Sequence, residues 1–309
     1  FFLNDLDLER EFLQEGVIDL GPIIDIDQCN NLKNQFNKLR PIDARFFKEK
    51  VFLKEHEFDP KKSQYGTGPS TGHNLTERVN LDFIEKNPIV QETLSNVLGS
   101  DYKIMQKKFV MGLPENMIPD WINERSKNLG FVNLCALVRP EFRDMTYFHG
   151  IDYHMDLIDY PDVDGNYLTV YVYLTDVNES YSPLHIIPKS HRLGPTLFPH
   201  NLKKTNNEST VQYSKNNKDY DTFEVRKLIA EKGSVFLWTA LTLHGTKLSN
   251  ALKPRVSVRH TFKKKSSSVG LIDELYKDLK SISLKKTTRD DIKLQKKGVV
   301  QIKNKRFLV

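Results

Sequence analysis

The second half of the chain alternates between hydrophobic and polar residues with the period of a β-strand. Over residues 255–262, the even-numbered side chains fall on one face and the odd-numbered ones, beginning with Arg255 and Ser257, fall on the other. Other runs are rich in β-branched and aromatic residues and also predict strands. These runs are 102–110, 131–139, 167–174 and 233–239. The pattern therefore predicts a β-rich core over residues 100–262.

Helical periodicity dominates the first hundred residues. Residues 6–16 predict a helix that ends at Gly16, and residues 17–20 predict a short strand after it. A second helix is predicted over 26–39, with Asp27 as its candidate cap. The remaining predicted elements are a helix over 84–98 with a break near Pro88, a tail helix over 271–280 and a hairpin over 298–309 with Asn304 in its turn.

Polar segments interrupt this pattern in three places. Residues 61–74 are rich in Gly, Ser, Thr and Pro, and predict a loop that is either a plain connector or the lining of a substrate entrance. Residues 114–130 predict a helical insertion. Residues 195–221, rich in Asn and Lys, predict a long loop of the kind that forms a lid or lacks order.

The chain has 309 residues, 39% of them hydrophobic, which suffices for the core of one large domain. We expect residues 1–309 to form a single domain, with a basic C-terminal extension over 263–309. No apolar run reaches the about 18 residues of a membrane span, and no signal peptide is visible. Two cysteines are too few for a disulfide framework or a cysteine metal site, so a cytoplasmic location is expected.

Positive charge is concentrated at the C-terminal end. The net charge is +6, but residues 263–309 hold 14 Lys and Arg against 5 Asp and Glu, which leaves the rest of the chain slightly acidic. A basic extension can indicate nucleic acid as a partner. No zinc-finger spacing, RNA-binding aromatic motif or helix-turn-helix pattern accompanies it, so a solvated basic surface is the favoured interpretation.

The most specific polar constellation begins with His154 and Asp156. Their spacing places both side chains on one face of an extended strand, and they supply two ligands of a 2-His-1-carboxylate iron site. His244, which follows the predicted strand at 233–239, is the best candidate for the third ligand. His149 is an alternative ligand without a carboxylate at strand spacing. His149 is better interpreted as an ordinary loop histidine or as a substrate contact.

Arg255 and Ser257 follow the candidate third ligand and share one strand face. A bidentate guanidinium with a hydroxyl beside it suits the distal carboxylate of a dicarboxylic acid. On the predicted strand 167–174, Thr169 and Tyr171 also share a face. That face either points into the barrel, where a hydroxyl reaches a bound cosubstrate, or packs within the barrel wall.

The order His-x-Asp, His, Arg-x-Ser resembles the Fe(II)/2-oxoglutarate dioxygenases, and in detail the phytanoyl-CoA dioxygenase family. The resemblance covers residues 8–262 and is strongest over 150–262. Lys189 stands where glycine is usual in that family. The matching segments are 12–18, 153–156, 169–176, 182–192, 243–245 and 254–257.

The resemblance implies an all-β core with helices: a double-stranded β-helix (jelly roll, cupin-like) with N-terminal and inserted helices. It implies that His154, Asp156 and His244 bind Fe(II), and that Arg255 and Ser257 hold the cosubstrate 2-oxoglutarate. Further candidates for cosubstrate contact are Thr169, Tyr171 and Asn133. The expected reaction consumes O2, hydroxylates the substrate and releases succinate and CO2. Related halogenases lack the carboxylate ligand, so Asp156 favours an oxygenase.

We expect the small-molecule substrate to be polar or anionic and to be enclosed by the loops at 61–74 and 195–221. Long apolar runs that would hold a fatty chain are few near the metal motif, whereas cationic and imidazole side chains are frequent. These candidates are Lys107, Lys108, Arg139, Arg143 and His149. The alternative is that they lie on outer strand faces in water.

Two other functions stay open at this point. One is a catalytically silent jelly-roll binding protein, against which the complete ligand set argues. The other is an oxidative demethylase acting on nucleic acid, suggested only by the basic extension. The sequence makes no prediction about the oligomeric state.

Overall fold

A computed structural model describes residues 5–41, 44–49, 74–129, 134, 137–160, 165–198, 200–247, 250–265, 267–277, 292–294 and 300–302. The strands within these ranges are β1 (Val17–Pro22), β2 (Tyr102–Gly112), β3 (Thr146–Phe148), β4 (Ile151–His154), β5 (Tyr167–Tyr173), β6 (Leu184–Ile186), β7 (Asn201–Lys204), β8 (Thr210–Ser214), β9 (Asp221–Glu224), β10 (Arg226–Leu228), β11 (Ser234–Thr239), β12 (His244–Thr246), β13 (Arg255–Lys264), β14 (Ile292–Leu294) and β15 (Val300–Ile302). The α-helices are α1 (Asp5–Arg10), α2 (Ile26–Leu39), α3 (Asp82–Glu85), α4 (Pro88–Leu98), α5 (Asp120–Leu129) and α6 (Leu271–Lys277).

Two sheets form the barrel. The larger has six strands in the order β1-β11-β5-β13-β2-β3, antiparallel except for the parallel pair β2 and β3. The smaller is antiparallel, with the order β10-β6-β12-β4. Side chains from both sheets, among them Tyr171 and Leu184, pack in one buried cluster. This arrangement confirms the predicted jelly roll.

Alternation along the strands decides which side chains face the barrel interior. On β5, Tyr171 and Tyr173 join the cluster between the two sheets. Val170 and Val172 belong instead to the cluster that contains the buried residues of α2 and α4. All residues of β5 are buried, as expected for a strand that is covered on both faces. Helices thus cover the outer face of the larger sheet, and its inner face is left for a site.

The N-terminal elements largely follow the sequence prediction. α1 continues as a π-helical turn over Glu11–Glu15 and ends at Gly16, whose φ of 73° favours glycine. A β-carbon there would collide with the ring of His191. α2 has the predicted bounds, but its cap is Asp25, whose carboxylate accepts the backbone N–H of Asp27. The prediction of Asp27 as the cap was therefore wrong by two residues.

Two further backbone features agree with the sequence. The break predicted near Pro88 separates α3 from α4, and Asn87 caps α4 with the proline in its first turn. Lys189 has a φ of 69°, in the left-handed region that favours glycine. This conformation accounts for the glycine that is usual at this position in the resembled family.

One predicted strand and one predicted loop differ from the structure. Of the strand predicted at 131–139, the described residues form a turn, and Val138 makes an isolated bridge with Phe47. The segment 195–221, predicted as an irregular loop, contains β7 and β8, which form a three-stranded sheet with β9. Leu202, Val211 and Tyr213 of these strands are buried among many Asn and Lys residues, so composition alone gave the wrong result.

The C-terminal extension also differs from the prediction. β15 pairs with the preceding β14, with Ile292 opposite Ile302, so the hairpin begins before residue 298. Asn304 and all but the last residue of the loop predicted at 61–74 lie outside the described residues. Among the helices that are described, none is long and apolar enough to cross a membrane. That residues 1–309 form one domain stays a prediction.

Candidate metal centre

Two histidines lie side by side on adjacent strands of the smaller sheet. His154 ends β4 and His244 begins β12, where the two residues are direct partners, and their ring centroids lie 4.3 Å apart. Each Nδ1 donates to a backbone carbonyl, that of Asp152 at 2.9 Å and that of Thr242 at 3.0 Å. Because carbonyl oxygens only accept, Nδ1 of each ring carries a proton. Both Nε2 lone pairs are thereby left for a metal.

Asp156 completes the group from a 3-10 turn that follows β4. Its Oδ2 accepts hydrogen bonds from Thr169 Oγ1 at 2.6 Å and from Trp238 Nε1 at 3.0 Å. Its Oδ1 has no aligned hydrogen-bond donor and lies 3.5 Å from His244 Nε2. The carboxylate is therefore held by one oxygen, and the other oxygen faces the histidines.

Arg259 supplies the positive charge beside this carboxylate. Its Nη2 lies 2.6 Å from Asp156 Oδ1, although the N–H bonds do not point along that line, and its Nη1 lies 3.6 Å from Asp159 Oδ2. Its Nε donates to Thr169 Oγ1 at 3.3 Å. Burial opposes ionisation of Asp156, but the guanidinium, together with the two histidines, outweighs burial and holds the pKa of this carboxyl well below its usual range.

The protonation states suit metal binding. Burial, with His244 adding repulsion, lowers the pKa of His154 to about 4, so this ring is neutral near pH 7. The ligand atoms of His154, Asp156 and His244 lie within 4.8 Å of one another, and all three residues are buried. Two imidazole nitrogens and one carboxylate oxygen form the ligand set of non-haem Fe(II) oxygenases. The residues present therefore fit the iron that the resemblance implies.

Arg255 lies on the same inner face of β13 as Arg259, four residues earlier. Its guanidinium packs 4.9 Å from the Phe148 ring centroid, and its Nη2 donates to Tyr171 Oη at 3.4 Å. Arg255 Nε and Ser257 Oγ are buried and have no hydrogen-bond partner among the described residues. Buried polar atoms are rarely left so, which indicates that a bound group completes them.

One cavity joins the metal ligands to Arg255. It runs between the sheets, and charged and imidazole side chains of both sheets line it: Lys108, His154, His244, Arg255 and Arg259. Tyr171 and Trp238 contribute aromatic walls. The two histidine ligands and Arg255 therefore border the same space.

The other predicted site residues lie in different surroundings. Thr169 contacts the metal carboxylate rather than the cavity, and Asn133 lies outside the described residues. Arg139 Nε donates to the carbonyl of Phe47 at 3.1 Å. The remaining two also contact backbone carbonyls: Arg143 Nε that of Val138 at 3.1 Å, and His149 Nδ1 that of Leu113 at 2.8 Å. None of Arg139, Arg143 and His149 is in the described lining of the cavity.

Sequence reasoning missed two residues of the site, Arg259 and Trp238. Arg259 could have been found, because its spacing from Arg255 and Ser257 places it on the same strand face. Lys108, one of the candidate cations named from the sequence, lines the cavity opposite Arg259, although its register against β13 is invisible in the sequence. Trp238 was read as part of a strand, and nothing local indicates that its indole N–H binds Asp156.

Comparison with protein families identifies the chain. The model of the phytanoyl-CoA dioxygenase family matches residues 12–256. The chain belongs to this family. Membership indicates an Fe(II)- and 2-oxoglutarate-dependent oxygenase, in agreement with the ligand set of the metal centre. No curated protein sequence matches the chain.

Solved structures of similar fold support the architecture of this family member. SnoN, the non-heme alpha ketoglutarate dependent epimerase of nogalamycin biosynthesis, is 13% identical over 83% of this chain and 81% of its own, with a TM-score of 0.50. It has also been solved with Fe3+, alpha ketoglutarate and nogalamycin RO. EvdO2 from Micromonospora carbonacea var. aurantiaca, complexed with 2-oxoglutarate, is 13% identical over 86% of this chain and 94% of its own, with a TM-score of 0.51. At these identities the similarity concerns the fold alone.

Proposed function

We propose that the protein hydroxylates a small polar or anionic metabolite in a reaction that consumes 2-oxoglutarate and O2 and releases succinate and CO2. The observation that carries the proposal is the alignment of three metal donors. The Nε2 atoms of His154 and His244 and Oδ1 of Asp156 face one another, with Oδ1 ion-paired to Arg259 but without an aligned hydrogen bond, while every other polar atom of these side chains is hydrogen bonded. Iron, when bound, supplies the oxidative chemistry.

The protein's own part in this reaction is positioning. The carbonyls of Asp152 and Thr242 fix the two ring tautomers, and Thr169 and Trp238 fix the carboxylate plane. Such partners around the ligands orient them and tune the metal. A site that is held this firmly reduces the reorganisation needed when iron enters.

Arg255 and Ser257 are the proposed anchor for the far carboxylate of 2-oxoglutarate. Support comes from the two buried atoms that lack partners, Arg255 Nε and Ser257 Oγ, and from the place of Arg255 in the cavity wall. A charge-assisted contact in a buried site is strong and directional. Tyr171, whose hydroxyl accepts from Arg255, orients the guanidinium and completes the anchor.

Charge supports the proposed substrate class. The described lining of the cavity includes three cations, Lys108, Arg255 and Arg259, and no carboxylate. A divalent metal adds positive charge, whereas Asp156, Asp159 beside Arg259, and the dianionic cosubstrate remove part of it. The surplus favours a substrate with an anionic or strongly polar group near the metal. Arg139, Arg143 and His149 remain proposed substrate contacts on the ground of charge alone.

Succinate formation is the test. The iron-loaded protein is incubated with 2-oxoglutarate and O2 over a library of amino acid derivatives, sugars, phosphorylated metabolites and acyl thioesters. Substrate-dependent succinate, together with a product heavier by one oxygen, supports hydroxylation. A product of unchanged mass would indicate epimerisation, the activity named for SnoN. Iron binding without succinate from any compound, including the uncoupled reaction, would indicate a silent binding protein.

A further inference from the structure

A second pocket lies at the other end of the larger sheet from the metal ligands. It is an open pocket of about 620 Å3 between α2 and the loops that follow β5 and precede β11 and β13. Thr169, which contacts the metal carboxylate, is near the start of β5, and Leu174, in the pocket wall, lies beyond its end. At about 3.3 Å per residue, the strand separates the two places by roughly 15 Å.

One wall of this pocket is a single face of α2. Its pocket residues Asn30, Lys33, Asn37 and Arg40 are spaced by three or four positions, the repeat of one helical face. The adjacent face of α2, about 100° around the helix, is buried in the core through Cys29, Leu32 and Phe36. The polar face is therefore fixed toward the pocket, because rotating the helix would expose its apolar side chains.

Three lysines from three separate elements converge on the pocket: Lys33 of α2, Lys232 before β11 and Lys253 before β13. Among the described residues, no carboxylate lies within ion-pair distance of any of the three ammonium groups. The pocket does contain Asp176, whose carboxylate accepts the backbone N–H of Lys232 at 2.9 Å. Arg40 is already paired with the buried Asp144.

Neutral groups hold two of these lysines in place. Lys33 Nζ donates to Asn37 Oδ1 at 2.8 Å and lies 5.6 Å from the Phe36 ring centroid. Lys232 Nζ donates to Asn30 Oδ1 at 3.2 Å. An amide oxygen orients an ammonium group without neutralising it. Burial also lowers the pKa of Lys33, so an anion in the pocket would relieve the cost of its charge.

We propose that this pocket binds a phosphorylated small molecule with at least two negative charges, of nucleoside-diphosphate size. Its volume lies in the range of small-ligand sites. The only guanidinium in the described lining, that of Arg40, is buried and pairs through Nη2 with Asp144, so the lysines are the more accessible cations of the pocket. Lysines act on phosphate as point charges, and three of them around one pocket match a ligand whose charge is spread over two phosphates.

Titration calorimetry of the full chain with ADP tests the proposal. We expect saturable binding that 2-oxoglutarate does not displace, because the barrel cavity is a separate site. Lys33→Gln and Lys232→Gln should each weaken ADP binding about three- to tenfold, because each variant removes one charged interaction with the phosphates. Lys38→Gln is the matched control, since Lys38 is exposed on the same helix and does not line the pocket. It should change ADP binding less than about twofold.

Four results would overturn the proposal. They are the absence of saturable ADP binding, displacement of ADP by 2-oxoglutarate, equal loss in the Lys38→Gln control, and equally tight binding of adenosine. The third would show that the general positive charge of the surface attracts the ligand, and the fourth that the phosphates are not recognised. Thermal unfolding of each variant checks that the substitutions leave the fold intact.

Discussion

Arg259 Nη2 lies 2.6 Å from Asp156 Oδ1, and both side chains are buried. The guanidinium therefore compensates the charge of the metal carboxylate within the protein itself. Since Oδ1 is also the oxygen that faces His154 and His244, a metal and Arg259 share it. The pair keeps the carboxylate ionised, which is the form that binds a metal.

Replacing Arg259 by Gln should destabilise the metal-free protein by about 3–5 kcal/mol, because the substitution leaves a buried carboxylate without its partner. Urea unfolding of metal-free protein at pH 7 measures this. The pKa of Asp156 is depressed in the folded state. Its stabilising contribution is thus complete above its ordinary pKa of about 4 and is lost as the pH falls through the folded value.

The double variant Asp156→Asn with Arg259→Gln is the control for that prediction. Removing both charges should lower the free energy of unfolding by much less than the sum of the two single substitutions, because no unpaired charge is left. Additive effects would show that the two side chains do not interact in solution.

Iron binding should require His154, Asp156 and His244. Changing any one of them to Ala leaves two ligands. Thr169→Val removes only a hydrogen bond to the carboxylate and should lower the affinity for iron about 10- to 100-fold. Each Ala variant should lower that affinity further. Calorimetry with Fe(II) under anaerobic conditions measures both. His185→Gln serves as a control from the neighbouring strand β6, and His244→Ala with full iron occupancy would refute the assignment.

Arg255→Ala should raise the 2-oxoglutarate concentration needed for half-maximal succinate formation about ten- to a hundredfold, while iron content stays normal. Ser257→Ala removes one neutral donor and should have a smaller effect. The exposed Arg192 supplies the control variant Arg192→Ala, which should behave like the unmodified protein. Unchanged cosubstrate dependence in Arg255→Ala would place the anchor elsewhere.

Sequence reasoning succeeded for features that depend on residues close together in the chain and failed for contacts between distant residues. Strand alternation on β13 correctly placed Arg255 and Ser257 on one face, since that face depends only on neighbouring residues. The contact of Trp238 with Asp156 spans 82 residues and depends on how β11 lies against the turn after β4. The strands within 195–221 were missed because the short alternation of Val211 and Tyr213 on β8 lies within a segment rich in Asn and Lys.

Glu85 should govern part of the acid stability. A hydrogen bond from His260 is the main cause that lowers the pKa of Glu85 to about 2, against its partial burial, and Lys107 adds to it. A depressed pKa contributes stability above the ordinary value of 4.5, and that contribution is lost as the pH falls toward about 2. Glu85→Gln should therefore flatten the fall in urea midpoint between about pH 5 and pH 2.5. An equally steep fall in this variant would assign the acid sensitivity to other carboxylates.

The proposed anionic substrate can be tested by removing single cations. Arg139→Gln and Arg143→Gln are predicted to raise the KM of the substrate with the 2-oxoglutarate dependence unaltered, because each removes a charge proposed to contact substrate. Lys108→Met is the comparison: it keeps the length of a buried side chain in the cavity lining and removes its charge. Without the ammonium group, an anionic substrate should bind with a KM higher by about tenfold or more.

If Lys108→Met alone raises KM, the substrate is anionic but the two arginines have structural roles, as their bonds to backbone carbonyls suggest. If none of the three variants alters KM, or if long acyl chains are the preferred substrates, the anionic substrate class is wrong.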